Sequence, residues 1–478
     1  MTSTTPQEST LQEFVTAKAT ELGVPGVAVG IWVDNKAVYG CHGVTSIDDP
    51  QPVDQDTLFL VGSISKSFTA TALMRLVADG RVELHAPVRR YVPELELADE
   101  QHAAKITVLQ LLNHTAGLDW RFSAETGKGD DALADYVARL KESELIGRPG
   151  GRPSYSQTAY NLAGRIIEKV TGRAFDQAVT TLLFQPLGMT DTTYSLEEAL
   201  SRSFAAPHER GQDGALTALA PWKESRANNP GGGAIGSVAD LLRWARFHLS
   251  YGRSDTGARV MPAQVLHQMQ QPTVELRGTS LGDATGIGWF LRDTDGVRIV
   301  EHGGSARGQF ADLRLVPERD FAVVVASNEG PDRGLELNQA IVHWALEHYL
   351  GVIDRAPEPL PFDAERAREV VGDYANEMMT ITIDTDASGL TIACAIKPEL
   401  RAASDAEMPA DLPAAGLGLL PGDGDEYIVT GGGLTGQRGF FTRDRNGAII
   451  GADLAGRLFS RVPPTARSGD RSAQPGTR

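Results

Sequence analysis

The chain has 478 residues, 41% of them hydrophobic and 22% charged, the composition of a globular protein with enough apolar surface for a sizeable core. That length suits about two to four ordinary domains. A net charge of −17 argues against nucleic acid or an anionic membrane as partner.

Met1–Glu8 has neither the basic region nor the apolar stretch of a secretory leader, and no run of about 18 apolar residues is present for a spanning helix, so a cytoplasmic protein is expected. Val27–Val33 and Ala37–Cys41 read as two strands of a hairpin, with Asp34-Asn35-Lys36 as turn chemistry. Helical signals dominate from Ser63 to Leu249, including Ala159–Thr171 and Val238–Ser250. Strands return at 288–292, 297–301, 311–316 and 321–327, and a helix is expected over 338–349. Beyond Leu350 the texture changes. Asp354-Arg355-Ala356-Pro357-Glu358-Pro359-Leu360-Pro361 reads as a stiff linker. Short alternating runs such as Thr380–Ile383 and Leu390–Ala393, separated by glycines and aspartates, predict a small antiparallel barrel or sandwich. The tail from Pro463 is rich in Pro, Ser, Gly and Arg and reads as disordered. Cys41 and Cys394 fall in different predicted domains, so free thiols are expected.

Three short motifs carry the chemistry. The first is Ser63-Ile64-Ser65-Lys66, approached by the apolar Phe59-Leu60-Val61-Gly62 and followed by a helical pattern. A serine hydroxyl needs a neighbouring base to become a nucleophile, and a lysine three residues on lies one helical turn away on the same face. Alone, the pattern occurs by chance in most chains of this length and reads as an N-cap serine with a solvated lysine. The second motif is Tyr155-Ser156-Gln157, in a loop before a helix. The third is Glu301-His302-Gly303-Gly304-Ser305, read as a strand that ends at the histidine, with glycines admitting another backbone or a ligand.

Together and in this order, the motifs resemble the serine β-lactamase and penicillin-binding-protein-like superfamily, class C branch, which carries Ser-x-x-Lys, Tyr-x-Asn and Lys/His-x-Gly. Ile106–Leu118, Phe184–Thr190, Gly231–Ser237 and Gly286–Trp289 match further landmarks, so the similarity spans roughly Leu11 to Leu350. The resemblance implies an α/β fold: a β-lactamase/transpeptidase-like antiparallel sheet built from both chain ends with a helical region between, plus a small lipocalin-like C-terminal β-barrel. The expected division is a catalytic domain at 1–352, the linker at 353–365, the barrel at 366–463 and the disordered tail at 464–478. The barrel is expected either over the catalytic cleft, narrowing it, or as an appendage away from it.

By resemblance, Ser63 forms an acyl-enzyme, Lys66 or Tyr155 takes its proton, and the Ser63 and Ser305 N–H groups hold the oxyanion. His302 lines the opposite wall, and Gln157, Gly304 and Ser305 contact substrate. Two positions depart from the β-lactamase pattern: His302 replaces a fixed lysine cation, and Gln157 replaces the usual Asn. A serine hydrolase of esterase or D-aminopeptidase type is the leading expectation. The alternatives are a peptidyl acyltransferase that cyclises peptides, a β-lactamase or DD-peptidase, and an inactive binding module. No cofactor or metal is expected, since the ten histidines show no ligand spacing. The expected partner is a small-molecule or peptide substrate, and self-association as a homo-oligomer stays open.

Overall fold

In the computed structural model, the strands Gly26–Val33 and Lys36–Gly43 pair antiparallel, with Val33 opposite Lys36. Asp34 and Asn35 join them at positive φ, 52° and 58°, the mirror-image turn whose twist matches that of the strands. The structure describes residues 6–463 apart from 123, 144, 212, 222–224, 331 and 404–410. The tail predicted to be disordered, 464–478, lies outside the described residues.

This hairpin is one edge of an eight-stranded sheet, which continues through Phe321–Ser327, Gln309–Val316, Val297–Ala306 and Phe290–Thr294 to the short Ala284–Thr285 and Val274–Glu275. Neighbouring strands are antiparallel throughout. Both ends of the first unit thus build one sheet. The alternation of side chains along each strand divides its apolar residues between two cores. Ala322, Val324 and Ala326 pack with Leu241, Leu242 and Ala245 of the helix Val238–Leu249. Phe321, Val323 and Val325 pack with Leu337 and Ile341 of the helix Asp332–Leu350. Because both faces are covered, Phe321–Ser327 is a continuous buried run rather than an alternating one.

The N-terminal segment, for which no element is expected above, is the helix Pro6–Leu22. Leu11, Val15 and Ala19 recur every four residues and place one face in the second core. The Gln12 side chain accepts from the Cys41 N–H at 3.0 Å and donates to the Cys41 carbonyl at 2.7 Å, which covers the outer edge of the hairpin. Two further differences concern strands. The strand expected to stop at Glu301 runs on to Ala306, paired residue for residue with Gln309–Val316. Leu58–Gly62, not predicted as a strand, joins Ala234–Ser237 and Thr192–Thr193 in a small separate sheet.

The chain divides into two units after Ala356. The second contains a closed eight-stranded barrel whose strands follow one another in sequence order, from Gly372–Ala375 to Arg457–Arg461. Tyr374 opposite Arg461 closes it. Tyr374, Ile381, Ile392, Tyr427, Phe441 and Phe459 fill the interior. The boundary expected at 366 falls inside a helix, Ala364–Val370, capped by Asp363 accepting from the Glu365 and Arg366 N–H groups. The proline-rich stretch is partly built into this unit: Leu360 N–H donates to the Leu419 carbonyl at 2.7 Å. Cys41 and Cys394 are both free, and burial pushes each thiol up to about 11. Among the described residues, no helix is long and apolar enough to cross a membrane.

The two large cores of the first unit draw on residues no later than Val352, and the barrel core draws only on Ala367–Phe459. Each unit therefore holds the apolar contacts needed to fold alone. Chains 1–356 and 357–463 are each expected to unfold cooperatively in calorimetry. A molten, non-cooperative 1–356 would show that its cores are incomplete.

Candidate active site

Leu58–Gly62 is buried throughout and ends at Gly62, whose φ of +50° turns the chain toward the helix Ser65–Ala78. The helix begins at Ser65, two residues later than expected, and Ser63 occupies the turn before it. The turn is tied down by Ser65: its hydroxyl donates to the Gly62 carbonyl at 2.6 Å and accepts the Ala234 N–H at 2.9 Å. Ser63 is half-buried, so its hydroxyl can be reached, whereas Lys66 is fully buried.

Lys66 Nζ lies 3.2 Å from Ser63 Oγ, 2.7 Å from Gln157 Oε1 and 2.5 Å from the Gly231 carbonyl. It also sits over the Tyr155 ring, 4.7 Å from the centroid. The amide and carbonyl oxygens can only accept, while the Ser63 hydroxyl can accept or donate. Two of the three contacts therefore hold N–H bonds permanently, and the third is where a lysine lone pair would meet the Ser63 proton. Gln157 Nε2 donates onward to Asn161 Oδ1 at 3.0 Å, so both ends of its amide are engaged inside the protein. The glycine landmarks make room for this cluster. A Cβ on Gly231 would stand 1.7 Å from Gln157 Nε2, and one on Gly288 would stand 2.3 Å from Ala70 Cβ on the lysine helix.

Tyr155 is buried in the loop before the helix Gln157–Thr171, whose N-cap Ser156 accepts the Ala159 N–H. The loop hangs on His114, a residue to which the sequence reading gave no role. The His114 carbonyl accepts the Ser154 N–H at 2.9 Å, and its Nδ1 accepts the Ser156 N–H at 3.1 Å. Its ring lies 4.7 Å from that of Tyr155. His114 has φ 64°, a left-handed conformation uncommon for a residue with a side chain. That strain was invisible in Asn113-His114-Thr115-Ala116-Gly117, because histidine does not advertise it as glycine would.

His302 faces the same cluster, its ring 6.5 Å from that of Tyr155 and 5.3 Å from that of Phe290. Its Nδ1 donates to the Gly303 carbonyl at 2.7 Å, which leaves Nε2 as an acceptor. Burial first, and then the positive charge of Lys66, push the imidazole down to about 3, so the ring is neutral at pH 7. Gly304 and Gly62 bring the third motif against the first. A Cβ on Gly304 would lie 1.9 Å from the Val61 carbonyl oxygen and 3.2 Å from Ser63 N, and one on Gly62 would lie 2.6 Å from Ser305 N. The backbones meet with no side chain between them. Ser305 itself is exposed. The structure thus gathers Ser63, Lys66, Tyr155, Gln157, His302, Gly304 and Ser305 into one neighbourhood.

A sheet made from both ends of the first unit, with a buried lysine one turn from a half-buried serine, defines the class of serine hydrolases built on the β-lactamase and penicillin-binding-protein fold. The family model described as Beta-lactamase matches residues 11–345. The chain is 36% identical over 323 residues to penicillin-binding protein 4 of Amycolatopsis lactamdurans, covering 67% of this chain and 84% of that protein. The crystal structure of SurE aligns with 95% of this chain and 99% of its own at a TM-score of 0.74 and 24% identity, and SurE with D-Leu at 0.70. A class C β-lactamase from Rhodobacter sphaeroides shares the fold over 71% of this chain and 98% of its own, with a TM-score of 0.57 and 24% identity. The chain belongs to the beta-lactamase family.

His302 gives a pH prediction. Its folded value, about 3, lies below the 6.5 of a free imidazole, so the unfolded chain takes up this proton first as pH falls. The contribution of His302 to stability is full above pH 6.5 and is lost progressively toward pH 3. The melting temperature of His302→Gln is therefore expected to fall less steeply between pH 7 and pH 4 than that of the parent. Equal slopes in the two proteins would contradict a neutral His302.

Proposed function

We propose that the chain cleaves esters or amides by acyl transfer through Ser63, as an esterase or D-aminopeptidase type of serine hydrolase. The observation that carries this reading is Lys66, buried 3.2 Å from Ser63 Oγ and oriented by two oxygens that can only accept. In its neutral form Lys66 takes the Ser63 proton as Oγ bonds to the substrate carbonyl carbon. The carbonyl electron pair moves onto oxygen, held by the Ser63 and Ser305 N–H groups. When that intermediate collapses, the bond to the leaving group breaks, and the proton passes from Lys66 through Tyr155 to the departing oxygen or nitrogen. Water then attacks the acyl-enzyme by the reverse sequence. In this reading Gln157 orients Lys66 rather than the substrate, because both ends of its amide are already engaged.

His302 shapes substrate choice. A neutral imidazole with a free acceptor nitrogen offers no fixed positive charge to a substrate carboxylate, and suits an N–H donor or an uncharged group. A second reading is transfer of a peptidyl group to an amine instead of water, as in stand-alone penicillin-binding-protein-type thioesterases that join this catalytic domain to a lipocalin-like one. Support for it comes from SurE, which aligns over 95% of this chain and whose structure is known with D-Leu.

Intact mass spectrometry with a fluorophosphonate is expected to give one adduct on the parent and none on Ser63→Ala. The same variant should lose short-chain p-nitrophenyl ester hydrolysis by several orders of magnitude while keeping its fold. Undiminished turnover by Ser63→Ala would move the nucleophile elsewhere.

Esters of short acyl groups are expected to turn over measurably, and cephalosporins poorly, for want of a cation at position 302. Cephalosporin turnover with kcat/KM near ~10⁸ M⁻¹s⁻¹ would overturn the substrate reading. A peptidyl ester offered with a D-amino-acid amine separates the two acceptors, since hydrolysis yields the acid and aminolysis the new amide.

A further inference from the structure

The two N–H groups assigned above to the oxyanion belong to different sheets. Ser63 follows Leu58–Gly62, which pairs with Ala234–Ser237 in the small sheet. Ser305 belongs to the eight-stranded sheet, opposite Phe310. Among the described residues, no backbone ladder joins these two strands. The glycines at 62 and 304 permit the segments to touch, yet van der Waals contact has no direction and leaves sliding cheap.

One side chain spans the gap. Gln309 is fully buried and lies opposite Ala306, next to Ser305. Its Oε1 accepts the Leu60 N–H at 2.7 Å, and its Nε2 donates to the Ala205 carbonyl. Ala205 N–H in turn donates to the Leu58 carbonyl at 2.9 Å. The Gln309 amide therefore closes a ring of hydrogen bonds from the main sheet through residue 205 to the strand that delivers Ser63. An amide is suited to this place because it presents one donor end and one acceptor end. An apolar side chain would leave the Leu60 N–H and the Ala205 carbonyl without these partners in the core.

We infer that Gln309 is a positioning residue for the reaction: by tying the nucleophile strand to Gln309–Val316, the strand laddered to that of Ser305, it sets the spacing of the two oxyanion N–H groups. The inference rests on the acyl-transfer reading above. The Gln309 amide is fully buried and bonds to backbone at Leu60 and Ala205, not to Lys66, so its effect is expected on transition-state stabilisation, with substrate binding and proton transfer left alone.

The test uses the full chain and p-nitrophenyl esters, with Gln309→Leu, Gln309→Glu and, as a control, Val15→Ala on the remote N-terminal helix. Gln309→Leu is expected to lower kcat roughly ten- to hundred-fold, with KM and the pH dependence of kcat unchanged. Phosphonylation by the fluorophosphonate should slow in parallel. Gln309→Glu keeps the acceptor for Leu60 and loses the donor for Ala205, so its kcat should fall between those of the leucine variant and the parent. Val15→Ala, assayed at the same interval below its melting temperature, should keep the parental kcat. The inference is overturned by a folded Gln309→Leu with parental kcat, by an equal loss in Val15→Ala, or by a shifted pH profile. If Gln309→Leu does not fold, a folded Gln309→Glu with parental kcat overturns it. A parent protein with no ester hydrolysis and no phosphonyl adduct would instead remove the acyl-transfer reading.

Discussion

The buried Lys66 side chain is the constraint around which the first unit is arranged. Taking a lysine out of water is expensive unless its donors are met by oxygens already in place. Ser63, Gln157 and Gly231 provide them, from a turn, a helix start and a glycine-rich segment far apart in the chain. Each provider is itself held. Gln157 is braced by Asn161, and the Gly231 segment by Thr69, whose hydroxyl donates to the Pro230 carbonyl at 2.6 Å. A lysine packed in this way has little rotamer freedom, so its approach to Ser63 is built in before any substrate arrives.

The wall opposite the lysine is aromatic rather than charged. His114, Tyr155, Phe290 and His302 pack ring against ring, with His114 and Phe290 stacked at 10°. This dry surround and the lysine charge together keep His302 neutral. The same surround holds the Tyr155 ring from several sides, while the His114 nitrogen and carbonyl fix the backbone on either side of it. Charge and shape are thus divided between two sets of residues, the first built from oxygens and the second from rings.

The main sheet supplies the frame. Its inner strands Gly26–Val33 and Phe321–Ser327 are buried on both faces, one turned to the helix that follows Ser237 and the other to the helices at the two ends of the first unit. A one-residue slip would exchange the two sets of apolar side chains, so the register of Val297–Ala306 against Gln309–Val316 is strongly determined. Glu301 reinforces it from the face opposite His302, pairing with Arg314 across the strand at 2.7 Å and with Arg292 at 3.1 Å.

Much of this was legible in the sequence. Ser63-x-x-Lys66, Tyr155 and His302-Gly303-Gly304 identified the superfamily, and alternation with turn residues located the hairpin and the barrel. These features are local: a helical period, a two-residue turn and a short motif each carry their signal within a few neighbours. Other features depend on partners distant in the chain. The strand at His302 continues because Gln309–Val316 lies beside it, although its glycines read as a stop. The N-terminal helix gains its place from the second core. The hold of His114 on Ser156, the contact of Gln157 with Lys66 and the bridge from Gln309 to Leu60 join residues 42 to 249 positions apart. Hydrogen bonds at such separations depend on how the sheets and helices pack, and no local pattern encodes them. The sequence by itself determined the family and the motifs that mark it; the tertiary structure decided which side chains hold those motifs in position.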